Sequence, residues 1–109
     1  MKTLAIDLET FSTTPIGSGG VHRYAADEGF DILLFAYSED SGPVHLVDLA
    51  SGDELPPRIR DALTDPAVEK WAFNAQFERV CLSHWLGLDG YLDPAQWRCS
   101  MVWASALGL

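Results

Sequence analysis

Apolar residues recur along this chain with two different periods, and the order in which the periods appear constrains the fold more than any other feature. Leu4, Ile6 and Leu8 share one face of a strand, with Ala5, Asp7 and Glu9 on the other. Asp31 to Tyr37 is a second run of strand length, predicted to be buried on both faces, and Val44 to Leu49 a third. Between these two, Ser38 to Pro43 has the composition of a hairpin turn. Helical spacing takes over only afterwards, apart from one short helical turn predicted over Val21 to Ala26. Pro56-Pro57 can open a helix, because proline lacks the N–H that a first turn leaves unpaired. Ile59, Ala62 and Leu63 give that helix one apolar face before Pro66 stops it. Val68 to Phe73 reads as a strand, and Phe77, Val80, Cys81, His84 and Trp85 mark a helix face that Gly87 closes. Trp97 to Cys99 reads as a last strand, with Ser100 as N-cap of a helix from Met101. Three strands in a row followed by alternating helices and strands predict an α/β fold. Its core is a mixed sheet of five strands, three antiparallel and two parallel, with flanking helices.

A chain of 109 residues is one domain or part of one. Its 48% hydrophobic and 21% charged residues are ordinary for a globular protein. No stretch approaches the roughly 18 uninterrupted apolar residues of a membrane span, and no secretory leader precedes the first strand, so a cytoplasmic address is expected. Cys81 and Cys99 are too few and too far apart for a disulfide scaffold or a zinc knuckle, and are expected to be packed thiols. A net charge of −9 argues against gripping nucleic acid by electrostatics alone. It leaves room for an enzyme whose carboxylates bind cations that in turn meet phosphate, and for an acidic module that binds something else. Met101 to Leu109 is apolar almost all round, a composition that needs cover on several sides, so the domain is expected to be incomplete at its C-terminus.

Asp7 and Glu9 sit at i and i+2 on one strand face, with Cα atoms about 6.5–7 Å apart, so their side chains can reach a shared point. Paired carboxylates repel unless a cation neutralises them, and hard oxygen ligands suit Mg²⁺ or Mn²⁺. An arbitrary Asp-x-Glu is more often a solvated strand end, so the spacing alone is a weak signal. The second constellation is Asn74-Ala75-Gln76-Phe77-Glu78-Arg79. Asn74 leaves a strand where it can cap the next helix, and Glu78 lies in the first turn, where the helix dipole favours an anion. Taken singly, Phe77 reads as core and Glu78 as a helix-start acid. The loop Gly17-Ser18-Gly19-Gly20 lacks the Lys-Ser/Thr of a phosphate-binding loop and reads as a connection. His22 and His45 carry no catalytic pattern, and His84 reads as core.

Together, Asp-x-Glu-Thr on the first strand and Asn-x-x-Phe-acid at a later strand-to-helix junction resemble the DEDD exonuclease superfamily. More narrowly, phrases such as Asp7-Leu8-Glu9-Thr10-Phe11-Ser12, Ile32-Leu33-Leu34-Phe35-Ala36-Tyr37-Ser38, Trp71-Ala72-Phe73-Asn74-Ala75 and Trp97-Arg98-Cys99-Ser100-Met101 are similar to the proofreading exonuclease domain of phage and prophage family A DNA polymerases. The resemblance covers nearly the whole chain. It implies a ribonuclease H-like sheet and stepwise, metal-dependent hydrolysis of a single-stranded DNA 3′ end with two Mg²⁺ or Mn²⁺ ions. It also implies a downstream polymerase domain of the same parent protein as partner, in a bacterial or phage-infected cell, with no membrane. Asp7, Glu9 and Glu78 would be the catalytic metal ligands, while Thr10, Asn74 and Phe77 would meet the terminal nucleotide. Glu78 stands where most of that superfamily has Asp, a displacement of about 1 Å that matters for rate. The family's third motif, a Tyr or His four residues before a last Asp, is not in residues 1–109, so the isolated chain is expected to be inactive. The alternatives are a non-catalytic structural or interaction remnant of the same fold, and an RNA-directed nuclease.

Overall fold

The computed structural model describes residues 1–15, 17 and 19–100, so the helix anticipated from Met101 lies outside the described residues. Among the described residues, five strands and three α-helices follow one another as β1 (Thr3–Phe11), α1 (Gly20–Ala26), β2 (Asp31–Glu39), β3 (Val44–Asp48), α2 (Pro57–Thr64), β4 (Glu69–Ala72), α3 (Ala75–Trp85) and β5 (Trp97–Cys99). Short 3-10 turns at Leu49–Ser51 and Pro94–Gln96 lead into the connections. The strands form one sheet in the order β3-β2-β1-β4-β5, antiparallel from β3 to β1 and parallel from β1 to β5. This is the mixed α/β sheet that the periodicities predict.

Leu4 and Ile6 are buried and Leu8 half-buried against the helices, joining Ile59, Ala62 and Leu63 of α2 and Leu82 of α3 in the main core. Ala5, Asp7 and Glu9 are exposed on the opposite face. Across the ladder, Asp7 pairs with Ala36 and Ala36 with Leu46, so all three look out from that face. Val44 and Leu46 there are 74% and 63% exposed, and Phe73, just past β4, is 63% exposed.

The second strand is less uniform than expected. Between Glu9 and Thr10 the partner on β2 jumps from Leu34 to Ile32, leaving Leu33 as an extra residue. A period of two would put Ile32 and Phe35 on opposite faces; the bulge turns both toward the helices, where each is fully buried. Leu33, Leu34 and Ala36 are only half-buried, so β2 is not covered on both sides. At the hairpin, Gly42 N–H donates to the Glu39 carbonyl at 2.8 Å while Asp40 and Ser41 both have positive φ, 49° and 62°. Positive φ at both central residues gives this turn the twist that suits a hairpin. The Asp40 carboxylate then accepts from the backbone N–H groups of Lys2 and Thr3 at 2.7 and 2.9 Å, tying the turn to the start of β1.

Lys70 is the unexpected interior residue. It lies on β4 facing the helices with no exposed surface, and its Nζ donates to the Asp65 carbonyl at 2.7 Å and to Gln96 Oε1 at 3.3 Å. A buried ammonium is tolerable only with such partners, because its desolvation is otherwise uncompensated.

Candidate functional site

The sheet opens a fork where the candidate residues meet. β1 pairs with β4 only through Thr3, Leu4 and Ala5, the last opposite Trp71. Beyond this point β1 runs on through Asp7, Glu9 and Thr10, while β4 gives way at Phe73 and Asn74 to α3. The C-terminal half of β1 and the first turn of α3 therefore flank one gap. Strand-end gaps of this kind are where parallel sheets place their chemistry.

Glu78 enters the gap from α3. It is 5% exposed, and its Oε2 has no hydrogen-bond partner among the described residues. Burial pushes its pKa up to about 7; its own backbone N–H works against that rise, and the neighbouring Asp7 carboxylate adds to it. The same burial, with Glu78's charge close by, drives the Cys81 thiol up to about 12. Asp7 and Glu78 are thus brought within electrostatic reach of each other from two different elements. Glu9, two residues along β1, is exposed on the face that carries Asp7. No group of three or more His, Cys, Asp and Glu side chains gathers closely enough to hold a metal among the described residues. The orphaned, desolvated oxygen of Glu78 beside a second carboxylate nevertheless has the donor chemistry of a hard divalent cation.

The polar and aromatic residues expected at the substrate divide into two kinds. Thr10 is half-buried, and its Oγ1 lies 2.9 Å from the Tyr24 hydroxyl. Phe77 is half-buried, with its ring centroid 5.9 Å from that of Tyr24. Asn74 occupies the N-cap position of α3 but is exposed, and its side chain makes no capping hydrogen bond. The buried side of α3 consists of Ala75, Glu78, Val80, Cys81, Leu82 and Ser83 rather than the stripe through Phe77, His84 and Trp85. The reason is that α3 packs both on the sheet, through Ala75 and Leu82, and against Ala25 of α1, through Val80 and Cys81, so its covered arc is broader. His84 is half-buried against the Tyr91 ring, with Nε2 unpartnered among the described residues. His22 Nδ1 lies 3.2 Å from the Tyr91 hydroxyl, and the exposed His45 stacks on Tyr37. Cys81 is buried, and Cys99 donates its S–H to the Phe73 carbonyl at 3.1 Å.

Tyr24 and Phe30 escape sequence reasoning. Both belong to a small cluster of Ala25, Val80 and Cys81 with Leu8, Val21 and Phe77 packed on it. Tyr24 stands in the run Tyr24-Ala25-Ala26-Asp27, which belongs to the same family resemblance, but the sequence assigned neither residue a role. On the open face a shallow depression of about 150 Å³ runs from Ala5 and Asp7 to Ala36 and Val44. The larger cavity, about 550 Å³ between Met1, Arg58, Asp61 and Asp65, holds none of the candidate residues.

Comparison with known proteins extends these observations. No family model matches the chain. Over all 109 residues it is 50% identical to a DNA polymerase of Bacillus phage SP02, of which it spans 16%. Two solved nucleases share its fold. One, in an apo form, matches 95% of this chain and 42% of its own at 22% identity and a TM-score of 0.63. The other, Brucella melitensis NrnC with bound Mg²⁺, matches 96% of this chain and 44% of its own at 18% identity and the same TM-score. NrnC bound to pGG aligns equally well, at a TM-score of 0.63. The ribonuclease H-like sheet implied by the resemblance is therefore the observed one. The chain spans about a sixth of the length of the polymerase relative and less than half of each nuclease.

Proposed function

We propose that residues 1–109 are part of a metal-dependent 3′–5′ exonuclease domain of proofreading type, working on single-stranded DNA 3′ ends beside a polymerase domain of the same parent protein. The observation that carries this reading is the buried Glu78 carboxyl with one unpartnered oxygen, at the fork between β1 and α3 and within electrostatic reach of Asp7. An identity of 50% over all 109 residues to part of a phage DNA polymerase, and a sheet shared with nucleases, support the same reading.

Asp7 and Glu78 would hold divalent cations, with Glu9 joining from the exposed side of β1. Mg²⁺ or Mn²⁺ bound there supplies an acidified water and neutralises charge on a phosphodiester. The chain's own residues do the rest. Glu78 would provide an oxygen already desolvated by the fold, so less water has to be stripped there when a ligand binds, and the exposed Asp7 would join it from β1. The Phe77 ring offers an apolar face to the terminal base, where stacking on an aromatic contributes about 1–3 kcal/mol without regard to sequence. Thr10 offers a hydroxyl to the backbone of the terminal nucleotide, and Asn74, whose amide is not engaged in capping, offers both donors and an acceptor.

Titration calorimetry with Mn²⁺ in the presence of a deoxynucleoside monophosphate tests the reading without requiring turnover. Joint binding of cation and nucleotide is expected, with a loss of at least tenfold, about 1.4 kcal/mol, in both Asp7→Asn and Glu78→Gln. Equal cation binding by the parent chain and both variants would sink the assignment.

A further inference from the structure

We propose that Tyr24 is a positioning residue that locks Thr10 and Phe77 into one recognition unit for the terminal nucleotide. The inference rests on the nuclease reading above and adds a residue to it. Tyr24 sits on α1, and its side chain reaches both proposed substrate residues. Its hydroxyl is 2.9 Å from Thr10 Oγ1, and its ring lies 5.9 Å from Phe77. The ring is held in turn by Phe30, edge-on at 5.9 Å, and the Tyr24 carbonyl accepts from Ser12 Oγ at 2.7 Å. Tyr24 is therefore fixed at its ring and its backbone, and these contacts orient its hydroxyl.

What the hydroxyl does follows from acidity. Either oxygen can donate in the Thr10–Tyr24 bond. A phenol is much the stronger acid, so donation from Tyr24 to Thr10 is favoured. With its oxygen accepting, Thr10 keeps its own proton free and aimed by the bond, ready for an acceptor oxygen on the nucleotide. The bulge at Leu33 lies opposite this part of β1, where Thr10 pairs with Ile32, so the backbone on both sides of the hydroxyl is anchored. The ring contact extends the effect to α3. Movement of Phe77 away from Tyr24 would also uncover the Ala25, Val80 and Cys81 cluster, so the stacking ring and the donor hydroxyl keep a constant separation.

The test uses the 109-residue chain, Ca²⁺ to suppress turnover, and a single-stranded oligodeoxynucleotide with 2-aminopurine as its 3′-terminal base. The same oligonucleotide with the fluorophore at its 5′ end serves as control. Quenching of the 3′ probe alone reports stacking at the site. Tyr24→Phe keeps the ring and its packing, and Thr10→Val removes the same hydrogen bond from the other side. Tyr24→Phe is expected to weaken 3′-probe binding roughly fivefold, the scale of one hydrogen bond, Thr10→Val at least as much because its own contact to the nucleotide goes too, and the double variant to be no weaker than Thr10→Val alone. Unchanged affinity in Tyr24→Phe, or losses that multiply in the double variant, would overturn the role of Tyr24 and leave the nuclease reading standing. Failure of the parent chain to distinguish the 3′ probe from the 5′ probe would overturn both.

Discussion

Glu78 is the residue on which charge and burial conflict most. Its carboxyl has a raised pKa of about 7 in the folded chain, against 4.5 for the free side chain. The folded state therefore holds a proton that the unfolded state releases between those values. Stability is fully present below about pH 4.5 and falls as pH rises toward 7. In metal-free buffer the melting temperature should decline across that interval. Glu78→Gln, similar in shape and uncharged, should flatten the decline and melt higher at pH 8, by on the order of 5–10 °C. A Glu78→Gln profile that still falls with the parent slope would show that the carboxyl is not the group responsible. The residue-level reading of the sequence identified Glu78 from its neighbours Asn74 and Phe77, but its burial was invisible there. An acid in a first helical turn is ordinarily solvated, and only packing on both the sheet and α1 closes over it. Tyr24 was hidden for a similar reason, since its partners Thr10 and Phe77 lie on other elements.

Among the elements, the β2–β3 hairpin carries the clearest backbone cost. Asp40 and Ser41 both occupy the left-handed region, yet only Asp40 has a compensating role through its bonds to Lys2 and Thr3. Ser41→Gly should therefore stabilise the chain by roughly 0.5–1 kcal/mol in chemical denaturation, because glycine adopts that conformation without strain. A destabilised Ser41→Gly would mean that the turn is held by something other than its dihedral angles. The existence of this turn was legible in the Asp-Ser-Gly-Pro composition, as were the strands that flank it. The number of strands and the mixed character of the sheet followed from the periods, whereas the sheet order β3-β2-β1-β4-β5 did not. The bulge was not legible: Leu33 looks like any other residue of an apolar run, and only the register with Glu9 and Thr10 shows that it is surplus. Asn74 was expected to cap α3 and stands at the right position, but its side chain makes no capping hydrogen bond, an outcome that sequence does not encode.

For the molecule as a whole, the net charge of −9 decides how it can meet DNA. Proteins that neutralise phosphates with Lys and Arg lose affinity steeply as salt rises, because binding releases condensed counterions. Here bound cations would carry the positive charge. Without divalent ions, oligodeoxynucleotide binding should be weak and should improve slightly with added NaCl, as repulsion between like charges is screened. With Mn²⁺ present, affinity should fall only shallowly with NaCl. A slope equivalent to several displaced counterions would instead reveal a basic surface, one that this sequence does not offer. No helix among the described residues is long and apolar enough to cross a membrane.

The sealed position of Lys70 gives the protein a built-in reporter of its own opening. The sequence has two lysines, Lys2 at the exposed N-terminus and Lys70, whose amine is enclosed behind Asp65 and Gln96. An amine-directed acylating reagent should mark Lys2 and the α-amine within seconds, while Lys70 gains mass only when the sheet comes apart. Counting tags by mass spectrometry over time would then measure how often the enclosure is open under native conditions, because reclosing outpaces acylation. Labelling of Lys70 as fast as Lys2 would mean that the enclosure is breached by local motion.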